Sequence, residues 1–243
     1  MIASARVAAL AAWLLACLPL HLASKLLTGG SAWPRRFLAG TAWICGARVS
    51  VTGEPAQPHT LLIANHSSWL DIFVLADATG CAFVSKSDLG HVAHWLADQN
   101  HTLYVRREKR REALGQADAI ARKLGGAQPV ALFPEGTTGP GDKLLPFRPT
   151  LLAAVTPAPP GVAVRPVAID YGEAAKVFGW FEESARDNAF RILVRKSTIP
   201  VTVRLLEPLA PTDDRKALSA AAHDAITAAL ASSRRPAPLQ ARQ

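Results

Sequence analysis

The sequence predicts an α/β fold: a mixed central sheet flanked by helices, preceded by an N-terminal apolar two-helix element suited to docking on a membrane. Three observations predict it. From residue 47 onward, apolar runs of strand length alternate with stretches of helix length. Runs such as Thr60–Ala64 (TLLIA) are almost continuously apolar, as strands covered on both faces are. Residues 2–27 (IASARVAALAAWLLACLPLHLASKLL) are the most apolar part of the chain. A length of 243 residues fits one α/β domain plus an appendage. The division read from the sequence is 1–46 for the membrane-associating helices, 47–231 for the α/β domain and 232–243 for a Pro- and Arg-containing tail too polar to pack.

The first element is apolar without interruption only from Val7 to Leu20, short of the roughly 20 residues that span a bilayer. Spanning would require Arg6 and Lys25 to snorkel at the two ends, and Pro19 would kink the helix. No small-x-small cleavage site follows, so no signal peptide is expected. Lys25, Arg35 and Arg36 lie downstream against Arg6 upstream, which places the body on the cytoplasmic face of an inner membrane. Residues 31–46 form a second helix with Pro34 in its first turn. Trp33, Phe37, Gly40 and Ile44 fall near one face, and aromatics beside Arg35 and Arg36 suit the bilayer interface.

The domain elements follow in order. Strands are expected at 48–51, 60–64, 81–85, 102–106, 129–133, 162–169 and 201–206, and helices at 67–78, 88–99, 108–124 and 213–231. Nothing regular is assigned between 170 and 200. A formal net charge of +8 favours anionic partners: acidic lipid headgroups, phosphate-bearing molecules or nucleic acid. Nucleic acid is disfavoured, because the basic run at 106–111 is short and lacks the interleaved aromatics of single-strand binders. Cys17, Cys45 and Cys81 form no CxxC pair, which speaks for buried reduced thiols rather than a disulfide framework or a zinc site.

Three constellations carry chemistry. Asn65-His66-Ser67-Ser68-Trp69-Leu70-Asp71 lies where a strand gives way to a helix, the position at which open α/β sheets place their sites. A carboxylate bonded to one imidazole nitrogen fixes the tautomer and leaves the other free to take a proton. An isolated His-x4-Asp recurs by chance, with His66 merely satisfying backbone groups at a helix start. Phe133-Pro134-Glu135-Gly136-Thr137 sets a carboxylate in a tight loop after an apolar strand. Tyr104-Val105-Arg106-Arg107 ends a strand with a guanidinium suited to gripping a phosphate. Gly139-Pro140-Gly141 reads as loop punctuation.

In order and at this spacing the blocks resemble the glycerolipid acyltransferase family, which includes the 1-acyl-glycerol-3-phosphate (lysophosphatidate) acyltransferases. Asn65–Asp71 is similar to its His-x4-Asp block, His101–Arg107 to the block ending in a substrate-binding arginine, Phe133–Thr137 to its FPEGT block, and Val164-Arg165-Pro166-Val167 to its proline block. Val84–Leu89 resembles a Lys-containing segment between the first two. The resemblance covers roughly residues 50–210 and implies acyl transfer from a thioester, acyl-CoA or acyl carrier protein, to the free hydroxyl of a lysophospholipid. It implies His66 as general base and Asp71 as its orienting carboxylate, with neither metal nor acyl-enzyme. Arg107, Lys86, Ser68 and Thr137 would meet the acceptor, with Glu135 and Gly136 shaping its pocket. Thr138-Gly139 replaces the usual Arg-Ser, His101 a usual glycine, and Arg148-Pro149-Thr150 a usual Lys-x-Gly. These departures bear on the acceptor, leaving lysophosphatidate first and a lyso-aminolipid such as lyso-ornithine lipid as the alternative.

A serine hydrolase using Ser67 or Ser68 is disfavoured by the adjacency of base and nucleophile and by the lack of a Gly-x-Ser-x-Gly elbow. A non-catalytic membrane-binding module is disfavoured by the presence of both His66 and Asp71.

Overall fold

A computed structural model describes residues 1–86, 91–105, 120–126 and 128–233. Seven strands form one sheet: β1 (Ala47–Thr52), β2 (Thr60–Ala64), β3 (Ala82–Lys86), β4 (Leu103–Val105), β5 (Val130–Leu132), β6 (Ala163–Asp170) and β7 (Ile199–Leu205). Their order across the sheet is β1-β7-β6-β2-β5-β3-β4. Only the β6–β7 pair is antiparallel; every other neighbouring pair is parallel, so the sheet is mixed, as the sequence predicts.

The apolar runs are explained by helices on both faces. On β2, Leu62 and Ala64 point into one core with α3 (Leu70–Thr79) and α2 (Trp33–Ile44), while Leu61 and Ile63 point into a second core. That second core contains Ile120, Leu124 and Leu218, Ala222 and Ile226 of the closing helix Arg215–Ser233. All four of those β2 side chains are fully buried, the reason the strand shows no polar alternation.

The first helix, α1 (Ile2–Thr28), is long and apolar enough to cross a membrane. It packs antiparallel along α2 through a stripe at helical spacing: Arg6, Leu10, Trp13, Cys17 and His21 turn inward. Arg6 donates to the carbonyls of Ile192 and Leu193, and Trp13 Nε1 to that of Phe37. The outward face is also apolar, with Val7, Leu15, Leu22, Leu26 and Leu27 exposed. A face of this kind is what water selects against on a soluble helix.

The expected helix at 67–78 starts later, at Leu70, because residues 66–69 are held in a turn by Asp71. Between 170 and 200, where no element is expected, the structure has a helix, α5 when α4 is His91–Gln99: Ala185–Leu193, capped by Ser184, whose hydroxyl accepts from Asp187 N. It is amphipathic, with Ile192 buried and Leu193 packed on the same core, while Asn188 is its buried polar residue. The expected helix at 108–124 lies within the described residues only from 120, where 120–124 is helical; 106–107, 109–111 and 234–243 lie outside them.

Gly139-Pro140-Gly141 is more than punctuation. A Cβ on Gly179 would lie 2.1 Å from the Pro140 carbonyl oxygen, and one on Gly141 2.1 Å from that of Ala175. Backbone thus packs on backbone where the loop after β5 meets the segment after β6. Gly179→Ala should therefore destabilise the protein by about 1–3 kcal/mol through overpacking. Urea unfolding in detergent measures this, and an unmoved midpoint would count against the interlock.

Candidate active site

The strands β2, β5 and β6 are neighbours, and the chain leaves them in different directions: from β2 through α3 on one face, and from β5 to β6 over the other. The crevice beyond their C-terminal ends is where a parallel sheet exposes loop backbone to a ligand. His66, Glu135 and Tyr171 all stand just past those ends.

His66 Nδ1 donates to Asp71 Oδ2 at 3.0 Å. The same oxygen accepts from the backbone N–H of Ser67 at 2.6 Å and of Ser68 at 2.8 Å, and Oδ1 accepts from the Tyr171 hydroxyl at 2.6 Å. Asp71 is fully buried, and all four of its partners are donors. Because a carboxylate only accepts, Nδ1 carries the proton, and Nε2 is the bare acceptor. Among the described residues Nε2 has no hydrogen-bond partner, and the side chain keeps 16% of its surface exposed. The imidazole stacks on Phe133 at 4.1 Å between ring centroids, 16° from parallel, which fixes its plane.

The backbone around His66 is held from every side. Glu135 Oε1 accepts from His66 N at 2.6 Å, Gly139 N donates to the His66 carbonyl at 2.9 Å, and Trp180 N donates to the Ser67 carbonyl at 2.8 Å. Asn65 bridges β2 to β6, donating to the Ile169 carbonyl at 3.0 Å and accepting from Ile169 N at 2.7 Å.

Two residues expected at the acceptor pocket have oxygens engaged by backbone N–H groups. Glu135 is buried, and its second oxygen accepts from Leu145 N at 3.1 Å. Its carboxyl spans two loops. Burial pushes it up to about 8, the Asp71 charge adding to this while the two amide N–H groups oppose it. Ser68 is fully buried, and its hydroxyl accepts from Leu70 N at 3.2 Å, so it serves the helix start. Gly136 adopts φ 72°, the left-handed conformation that its turn onto the Phe133 carbonyl requires. Thr137 is exposed at the rim. Lys86 is the last residue of β3, at the His66 end of the sheet. Arg107 lies outside the described residues, though β4, which leads to it, ends at that same edge. Of the departures, His101 is misassigned to the acceptor. It precedes β4 at the opposite end of the sheet, since β4 runs parallel to β3.

Tyr171 and Asn65 were given no role from sequence. Asn65 is adjacent to the histidine, but its long-range partner is invisible there. Tyr171 follows a strand and has no local mark at all. Burial, then the Asp71 charge, pushes its phenol well above the usual tyrosine range, so it remains a donor.

A histidine with one nitrogen tied to a buried carboxylate and the other bare is a candidate general base, with the geometry to take a proton from a hydroxyl or amine. The acyltransferase family profile matches residues 48–170, and the chain belongs to that family. A lyso-ornithine lipid O-acyltransferase of Rhodobacter capsulatus is 33% identical over 192 residues, 72% of this chain and 69% of that one. A 1-acyl-sn-glycerol-3-phosphate acyltransferase of Neisseria gonorrhoeae is 30% identical over 189 residues, 74% of this chain and 73% of its own. The fold is shared with the crystal structure of the acyltransferase PlsC from Thermotoga maritima, at TM-score 0.59 and 20% identity, covering 86% of this chain and 79% of that one.

His66→Ala should lower kcat by about 10²–10⁴-fold, the usual worth of a general base. Asp71→Asn should be comparably severe, because an amide can select the other tautomer. A folded His66→Ala protein with near-normal turnover would remove the assignment. Tyr171→Phe should lower kcat about tenfold while leaving both KM values in place, since one donor to Asp71, worth roughly 1–3 kcal/mol, is lost without touching substrate. A change confined to KM would exclude this positioning role.

Proposed function

We propose that this chain is an O-acyltransferase that acylates the free hydroxyl of a lysolipid with an acyl thioester, acyl-CoA or acyl carrier protein. The observation that carries it is the His66–Asp71 pair with Nε2 bare at a strand-end crevice. Nε2 takes the proton from the acceptor hydroxyl as its oxygen attacks the thioester carbonyl carbon. Asp71 holds the resulting imidazolium. The tetrahedral centre collapses, the C–S bond breaks, and the imidazolium returns its proton to the departing thiolate. Both products leave neutral at the reacting atoms, and the histidine is reset.

For the acceptor, two readings each have support. Lyso-ornithine lipid is favoured by the Rhodobacter relative and by Thr138, Gly139 and Arg148–Thr150, which replace the residues usual beside a phosphate-bearing acceptor. Lysophosphatidate is favoured by the Neisseria relative and by the basic Arg106-Arg107 pair. We place lyso-ornithine lipid first, since the loop residues that differ lie against the site: Gly139 bonds the His66 carbonyl and Arg148 N donates to the Pro134 carbonyl at 2.9 Å.

The enzyme works at a membrane surface on this reading, most simply the cytoplasmic face of the inner membrane. Contacts at Arg6, Trp13 and His21 tie α1 to the body along its length. The helix therefore lies in the interface with its apolar outer face among acyl chains, and does not cross.

Initial rates of the purified protein with one acyl-CoA and both acceptors decide the headgroup. Turnover of lyso-ornithine lipid well above that of lysophosphatidate is expected. The reverse order, with KM for lysophosphatidate raised about ten- to a hundred-fold in Arg107→Ala, would reassign the acceptor to the phosphate.

A further inference from the structure

At the end of the sheet opposite His66 lies a second cleft, of about 380 Å³, formed by the start of α2 and the chain just before β2, β3 and β5. Five residues of β2 separate the two ends, about 16 Å at strand rise. Its walls are built from side chains bonded to backbone. Gln128 Nε2 donates to the Gly80 carbonyl at 3.2 Å, and Asn100 Nδ2 to that of Cys81 at 3.0 Å. Gln99 Oε1 accepts from His21 Nε2 of α1 at 3.0 Å, tying the first helix to the cleft wall. The cleft is therefore shaped before any ligand arrives.

Its basic lining residues are Arg35 and His101. Arg35 lies flat over Gly80, its guanidinium 3.1 Å from where a Cβ would stand, with no hydrogen bond or ion pair among the described residues. Arg35 acts on Asp77, whose carboxyl burial pushes up while the guanidinium opposes. His101, which also lines the cleft, is pushed down by burial and then by Lys123, Lys25 and His21, all basic. No ion pair among the described residues neutralises Lys25, Arg35 or Lys123. Beside this cationic cleft, α1 ends in exposed Leu22, Leu26 and Leu27. An apolar tip next to a cationic cleft matches a lipid surface, where acyl chains lie directly beneath phosphates.

We propose that this cleft binds the phosphate of an anionic phospholipid headgroup, so that the enzyme holds a lipid that is not its substrate. Arg35 is the principal contact, with His101 in the same lining and the charge of Lys25 acting on His101 from outside it. The volume suits a glycerophosphate headgroup, falling in the usual range for small-molecule sites. With α1 in the interface, this lipid and the acceptor are taken from the same leaflet, one at each end of the sheet. The proposal requires only surface binding and stands whichever acceptor is used.

The test is binding to vesicles of phosphatidylcholine alone and of phosphatidylcholine mixed with phosphatidylglycerol. Wild type should prefer the mixed vesicles. Lys25→Ala/Arg35→Ala should lose that preference by roughly fivefold per cation, as expected of basic groups at a membrane surface. Arg215→Ala/Lys216→Ala, on the helix covering the other face of the sheet, should keep it. Arg35→Lys should recover part of the loss. Turnover of detergent-dispersed substrates should be unchanged in every variant. Equal losses in the two double variants would mean that net charge acts without a site, and would overturn the proposal. Displacement of wild type from mixed vesicles by 3′,5′-ADP, with a raised KM for acyl-CoA in Lys25→Ala/Arg35→Ala, would also overturn it by assigning the cleft to the donor's nucleotide phosphate.

Discussion

The buried carboxylate of Asp71 is the constraint on which the rest of the site depends. This fully buried group is tolerable in the core because four donors converge on it. Each donor comes at a structural cost that shapes the molecule. Ser67 and Ser68 must turn their amides inward, which delays the start of α3. Tyr171 must be delivered by the chain beyond β6, and His66 must present Nδ1 and hence leave Nε2 bare. The tautomer needed for base catalysis thus follows from satisfying a buried acid.

That requirement also explains the role of the FPEGT loop. If the peptide groups at 66–67 drifted, the donors to Asp71 would drift with them. Glu135, Gly139 and Trp180 hold those groups from three loops. A carboxyl group is well suited at 135 because it sets one oxygen against each of two amides, whereas a glutamine has a single oxygen. The close backbone contact of Gly141 and Gly179 with the facing loops then locks the support to the segment carrying Tyr171.

The sheet separates two tasks. Its C-terminal edge at β2, β5 and β6 carries the reacting groups, and the opposite edge carries Arg35 and His101. Because β1 and β7 run against the central strands, α1 and α2 reach both edges: Arg6 lies near Gly46 at the catalytic end and His21 near Gln99 at the other. The first helix is thereby tied to both edges of the sheet, through Arg6 at one end and His21 at the other.

Much of this was legible in the chain itself. Continuous apolar runs such as TLLIA can be buried only between two helical layers, so the α/β class and the mixed sheet follow from local pattern. His66 and Asp71 are five residues apart across one turn, close enough for sequence to pair them. The apolar face of α1 is likewise a property of consecutive residues. What sequence could not supply was anything set by distant strands meeting. Tyr171 is a hundred positions from Asp71 and joins it only because β6 lies beside β2. Glu135 and Ser68 look like ligand groups until packing shows their oxygens already taken by amides, and His101 looks like part of the acceptor block until the parallel direction of β4 puts it at the far edge. Local periodicity fixes which residues are buried, but strand order and direction decide which of them meet, because hydrogen bonding and desolvation act across space without regard to sequence separation.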